Sequence, residues 1–138
     1  MIYYKGNQTP HVGTSGSAGF DLVATEDVLL LPNKPPFIMP LHFHTEFHSS
    51  IMGGLLPRSS LGRKGLYLAG TMGVIDSDYR GDWMAGLCLH SWAEPLQIHK
   101  GDRIVQVVQF LIREPDTTEV PELSNTGRGY GGHGSTGR

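Results

Sequence analysis

Hydrophobic and polar positions alternate without a break along "LHFHTEFH". Leu41, Phe43, Thr45 and Phe47 fall on one side, and His42, His44, Glu46 and His48 on the other. A period of two is that of a β-strand with one face buried. Shorter apolar runs recur along the chain. "IYYK" starts a sheet, and "FDLVATEDVLLLP" holds two runs, the second ended by Pro32. "WMAGLCLHSW" and "IVQVVQFLI" read as further strands, the latter apolar enough to be buried on both faces. "NKPPFIMP" reads as an extended, proline-punctuated loop. The one helix-compatible piece is "SSLGRKGL", about two turns at ~3.6 residues per turn. From Glu114 on, polar and turn residues take over, and the tail is expected to be mobile until something holds it. Many short strands with glycine-rich turns predict an all-β sandwich, jelly roll or barrel.

Composition narrows the function. A chain of 138 residues suits one domain, and its 19 glycines fit frequent turns. A net charge of −2 shows no bulk footprint for nucleic acid, and the 7 histidines add charge only in acid. The single cysteine, Cys88, excludes an internal disulfide framework and suits a reducing cytoplasm. "MIYYKGNQTP" does not read as a signal peptide, and no apolar run has the length of a membrane span. The expectation is a cytoplasmic protein (of a host cell, for a viral source) with no nucleic-acid or membrane partner.

Five segments carry candidate chemistry. "PRSSLGRKG" puts Arg58, Ser59 and Ser60 at the start of the helix-compatible piece, where amides, hydroxyls and a guanidinium suit an anion. The plain alternative is a serine cap beside a surface arginine. "GVIDSDYRG" reads as a β-hairpin tip, where Asp76 is either a general base, a ligand for a sugar hydroxyl or one acid of a plain turn. The closing "GRGYGGHGSTGR" has no aliphatic side chain to bury. Its glycines let backbone amides wrap an oxyanion. Arg128, Ser135 and Thr136 suit phosphate, and the His133 ring can stack on a base. "AGFDL" and "GDRIVQ" are quieter. The histidine face of "LHFHTEFH" has metal-competent side chains, but i and i+2 on a strand lie roughly 6.5–7 Å apart. Two neighbours can chelate, four on a flat strand cannot reach one ion, and a polar strand face is the preferred reading.

Taken together, "AGFDL", "PRSSLG", "GVIDSDYRG", "GDRIVQ" and "RGYGGHGSTG" resemble, in order and at similar spacing, the five motifs of the trimeric deoxyuridine triphosphate nucleotidohydrolases, the dUTPases. They run from residue 18 to the end of the chain. The resemblance implies a jelly-roll-like β domain over residues 1–123 and a C-terminal arm over 124–138 that closes on a neighbouring subunit's active site. It implies a homotrimer with shared sites that hydrolyses dUTP to dUMP and pyrophosphate with Mg2+. That reaction limits uracil incorporation into DNA and supplies dUMP for thymidylate synthesis. By the same resemblance Asp76 orients the attacking water and contacts the 3′-hydroxyl. Tyr79 packs under the sugar, the backbone around Gly73 reads uracil, and Asp21 holds the metal through water. Arg58, Ser59, Ser60 and Gln106 belong to phosphate and water contacts. Arg128, His133, Gly134, Ser135 and Thr136 belong to the arm's grip on the nucleotide.

Three positions depart from the family pattern. His133 stands where phenylalanine is usual, Ser60 where glycine is usual, and Gly70 where many bacterial members have asparagine. Two rivals remain. "RSSLGRKGL" resembles the phosphate segment of the related dCTP deaminases, but their catalytic glutamate corresponds to Gly86, and no glutamate occurs between Asp82 and Trp92. A non-catalytic nucleotide- or protein-binding module is the other. Against it, Asp21, Asp76, Tyr79, Gln106 and Arg128 are all present.

Overall fold

The computed structural model describes residues 2–113 and 115–132. Among them are eleven short strands and one helical turn. In chain order these are β1 (Tyr3–Gly6), β2 (Gly19–Val23), β3 (Val28–Leu30), β4 (Phe37–Pro40), β5 (Phe43–Glu46) and β6 (Ile51–Pro57). The turn α1 (Ser59–Gly62) follows, then β7 (Leu66–Leu68), β8 (Gly73–Ile75), β9 (Met84–Leu89), β10 (Leu96–Ile98) and β11 (Arg103–Leu111). Two sheets dominate, in the orders β2-β11-β6-β8 and β4-β9-β7. The pairs β1–β5 and β3–β10 complete the wall. Every pairing is antiparallel. No helix among the described residues is long and apolar enough to cross a membrane.

Alternation decides which side chains fill the interior. On β5 and its flanks, Leu41, Phe43, Thr45 and Phe47 are buried, as the pattern of two predicts. Phe20 and Leu22 of β2 point the same way and oppose Val107 and Val105 of β11. Trp83 sits at the centre with no exposed surface, its ring meeting Phe43 edge-on at 5.4 Å. Burying one such side chain contributes roughly 1.5–3 kcal/mol, so truncating Trp83 would remove about 3–5 kcal/mol including the cavity left behind.

Four sequence expectations change. Half of "NKPPFIMP" is a strand: β4 is the edge of its sheet, paired with β9, and Pro40 sits at its end, where a missing N–H costs least. The helix has one turn rather than two, because Gly65 adopts φ +91° and turns the chain into β7. "GVIDSDYRG" is not a hairpin tip. β8 pairs with β6 while β9 pairs with β4 and β7, so the turn between them carries the chain from one sheet to the other. Finally, β11 is buried only in its first half; beyond Val108 its residues are exposed, and Leu111 is 86% exposed.

Candidate active site

The outer face of the four-stranded sheet builds the first part of the site. Inward Phe20 and Leu22 force Asp21 outward, and the register sets Asp21 opposite Gln106, itself opposite Leu56 of β6. The row continues past the sheet edge. His11 forms an antiparallel bridge to Asp21, the Asp21 N–H donating to the His11 carbonyl at 2.8 Å and the His11 N–H returning to the Asp21 carbonyl at 3.2 Å. Opposed residues in such a pair project to the same face, so imidazole, carboxylate and carboxamide stand side by side.

Two arginines close on the carboxylate. Arg58 Nε lies 3.1 Å and Arg103 Nη1 3.4 Å from Asp21 Oδ2. Arg58 arrives because it follows β6 directly, in extended conformation, with its N–H donating to the Ile104 carbonyl at 3.2 Å. These groups line a polar cleft of about 200 Å3 together with Ser59, Ser17, Gly13 and Gly19. Two guanidiniums against one carboxylate leave an excess of positive charge, which suits a polyanion. Ser60 stands exposed on α1 and is not part of this lining.

The second part lies elsewhere on the subunit. After β8 a turn brings Asp76 to the surface, closed by the Tyr79 N–H donating to the Asp76 carbonyl at 3.2 Å. The Tyr79 hydroxyl donates to the Asp82 carbonyl at 3.0 Å, and its ring lies so close over Gly81 that a Cβ there would collide with it. Asp82 anchors the turn to β5: Oδ1 accepts the Phe43 N–H at 2.9 Å and Oδ2 lies 3.2 Å from His42 Nδ1. Because β8 is antiparallel to β6, Gly73 faces Leu55 and Ile75 faces Gly53, moving away from Arg58. Asp76 follows Ile75 and so stands level with Met52, six residues from Arg58, which at ~3.3 Å per residue puts the two roughly 20 Å apart.

The third part is partly in view. Arg128 Nε donates to the Gly131 carbonyl at 2.9 Å in a turn of its own segment. His133, Gly134, Ser135 and Thr136 lie outside the described residues. The histidine face of β5 disperses to separate partners: His42 to Asp82, His44 Nδ1 to the Arg80 carbonyl, and His48 Nδ1 to Ser50 Oγ. Among the described residues, no group of three or more His, Cys, Asp or Glu side chains could hold a metal. Away from these sites, the charge of Cys88 and then its hydrogen bond raise the Tyr67 phenol above its ordinary pKa.

Sequence reasoning missed His11 and Arg103. Arg103 had a signal, being three residues before Gln106 in "GDRIVQ". His11 had none, because only a bridge across the sheet edge brings it to Asp21. Gly86 bears on the deaminase reading. A Cβ there would stand 3.0 Å from the Ala69 Cβ, and the Ala69 N–H donates to the Gly86 carbonyl at 2.8 Å, so a glutamate has no room without movement.

An all-β jelly-roll-like fold that carries an arginine-bracketed acid in a polar cleft on its sheet face defines the class of protein. The dUTPase family model matches residues 6–137, and the chain belongs to that family. It is 42% identical to the deoxyuridine 5'-triphosphate nucleotidohydrolase of Nautilia profundicola over 131 residues, covering 94% of this chain and 90% of the relative. The enzyme of the same name from avian adenovirus 8 is 38% identical, with 94% and 77% covered. Among solved structures, a dUTPase of Staphylococcus bacteriophage 80alpha with dUpNHpp superposes with a TM-score of 0.86. It covers 100% of this chain and 99% of that one at 22% identity, a likeness of fold.

Proposed function

We propose that this protein hydrolyses dUTP to dUMP and pyrophosphate as a homotrimer with shared active sites. The observation that carries the chemistry is the cleft in which Arg58 and Arg103 flank Asp21 beside Gln106. The arginines bind the triphosphate and draw negative charge away from the attacked α-phosphorus. Asp76 orients a water and accepts its proton as the new P–O bond forms. The bond to the bridging oxygen breaks, and pyrophosphate leaves. Tyr79 packs under the deoxyribose and leaves no room for a 2′-hydroxyl, while the backbone around Gly73 pairs with the uracil edge.

The trimer rests on two observations. Asp76 and Arg58 stand too far apart in one chain to act on the same α-phosphate. In addition, the sheet face that carries Asp21 and Gln106 continues into Val108, Val74 and Phe110, of which Val74 is 56% and Phe110 37% exposed. A neighbouring copy seated on that apolar stretch buries it and brings its own Asp76 to the cleft. The arm from residue 124 then closes the site with Arg128, His133, Gly134, Ser135 and Thr136.

Magnesium fits this cleft in one way. A solved dUTPase of phage phi11 is described with a structural Mg(II) ion. Here the cleft offers a single carboxylate whose Oδ2 is already engaged by two arginines, so Asp21 suits a metal held through its water shell and the substrate's phosphates. Bound there, magnesium supplies charge neutralisation along the triphosphate. The proposed setting is the cytoplasm, of the host if the source is viral.

The test is pyrophosphate release with magnesium from dUTP, dCTP, dTTP and UTP. Release from dUTP alone is expected. Binding of dUTP without release from any of them would leave a non-catalytic module.

A further inference from the structure

We infer that His11 is a further substrate-binding residue, donating a hydrogen bond from its imidazole to the pyrophosphate end of the substrate. It rests on the reading of the cleft as the triphosphate site. The bridge to Asp21 fixes the His11 backbone at both its N–H and its carbonyl, and aims its side chain to the face of Asp21 and Gln106. His11 lines the same cleft as Arg58, Ser59 and Arg103, and among the described residues its ring makes no hydrogen bond. It is therefore a held, exposed donor at the rim of a cationic cleft.

Its place in the row says which phosphates it meets. On the proposed reading, Gln106 marks the end of the cleft that meets the attacking water and the α-phosphate. His11 stands two strand positions further across the sheet, ~10 Å from Gln106 at the usual strand spacing, with Asp21 between them. An extended triphosphate running from Gln106 over Asp21 puts its β- and γ-phosphates beside the imidazole.

The test uses the full chain with magnesium and two ligands, the imido analogue dUpNHpp and dUMP, which lacks the outer phosphates. His11→Ala is expected to weaken dUpNHpp about tenfold, the lower range of a hydrogen bond to a charged group, and to leave dUMP unchanged. His11→Gln, which retains a donor, should recover part of the loss. Unchanged dUpNHpp affinity in His11→Ala overturns the inference. Equal losses for both ligands also overturn it, because the ring then merely supports the cleft. Arg58→Gln is measured beside it, with thermal melting to confirm the fold. If Arg58→Gln weakens dUpNHpp and His11→Ala does not, only the role of His11 falls. If neither variant weakens it, the cleft is not the triphosphate site.

Discussion

The Nε of Arg58 stands 3.1 Å from Oδ2 of Asp21, on a carboxylate whose side chain is only 11% exposed. Arg103 approaches the same oxygen at 3.4 Å. The three charges form one unit: the acid holds two guanidiniums close enough for a single phosphate chain, and without it they repel. Asp21→Asn should therefore lose stability as well as activity. The stability loss is about 1–2 kcal/mol, smaller than for a fully buried pair because both arginines reach solvent. Denaturant unfolding reads the first effect and pyrophosphate release the second, with a fall in kcat/KM of roughly a hundredfold or more expected.

Site sharing has a direct test. Asp76→Asn and Arg58→Gln trimers should each be nearly inactive. Refolded together at equal amounts, they should regain about a quarter of wild-type activity, because random assembly pairs an intact Asp76 with an intact Arg58 at that frequency. No recovery would mean that each chain acts alone.

Gly81 underlies Tyr79, and a methyl group there would strike the phenol ring. Gly81→Ala should shift Tyr79 while leaving the core untouched, since the turn is on the surface. The expected readout is the ratio of kcat/KM for dUTP to that for UTP, falling about tenfold as steric exclusion of the 2′-hydroxyl weakens. A preserved ratio would remove Tyr79 from sugar discrimination.

Removing the chain from Arg128 onward should leave a folded trimer with activity down about a hundredfold or more, since the terminal phosphates lose their clamp. Size determination and turnover on the same sample check both halves of that statement.

His133 brings an ionisable ring to a place where the family usually has phenylalanine. An imidazole changes charge between about pH 5 and 8, and the cation is harder to desolvate over a base. KM for dUTP should rise as pH falls through this range, and His133→Phe should flatten the profile. A wild-type KM constant from about pH 6 to 8 would exclude His133 from base stacking.

The burial pattern of Leu41–Phe47, with β5 (Phe43–Glu46) at its centre, was legible by its alternation alone, because a period of two assigns each side chain a face without reference to any partner. The family resemblance was legible for a similar reason: each of its five motifs is a run of a few consecutive residues. What sequence left open depends on pairing across distance. "GVIDSDYRG" has the residues of a hairpin tip, yet β8 finds β6 and β9 finds β4 and β7, and nothing local specifies that choice. "FIMP" became a strand because β9 offered it a pairing edge, despite Pro35 and Pro36 before it and Pro40 at its end. His11 and Arg103 entered the cleft by the same route, as register and bridging set them beside Asp21. The amino-acid sequence by itself determined the β-strand pattern and the family, because both are written in near neighbours. Only the tertiary structure decided that Asp76 and Arg58 lie at opposite ends of β6, because antiparallel pairing reverses direction from one strand to the next.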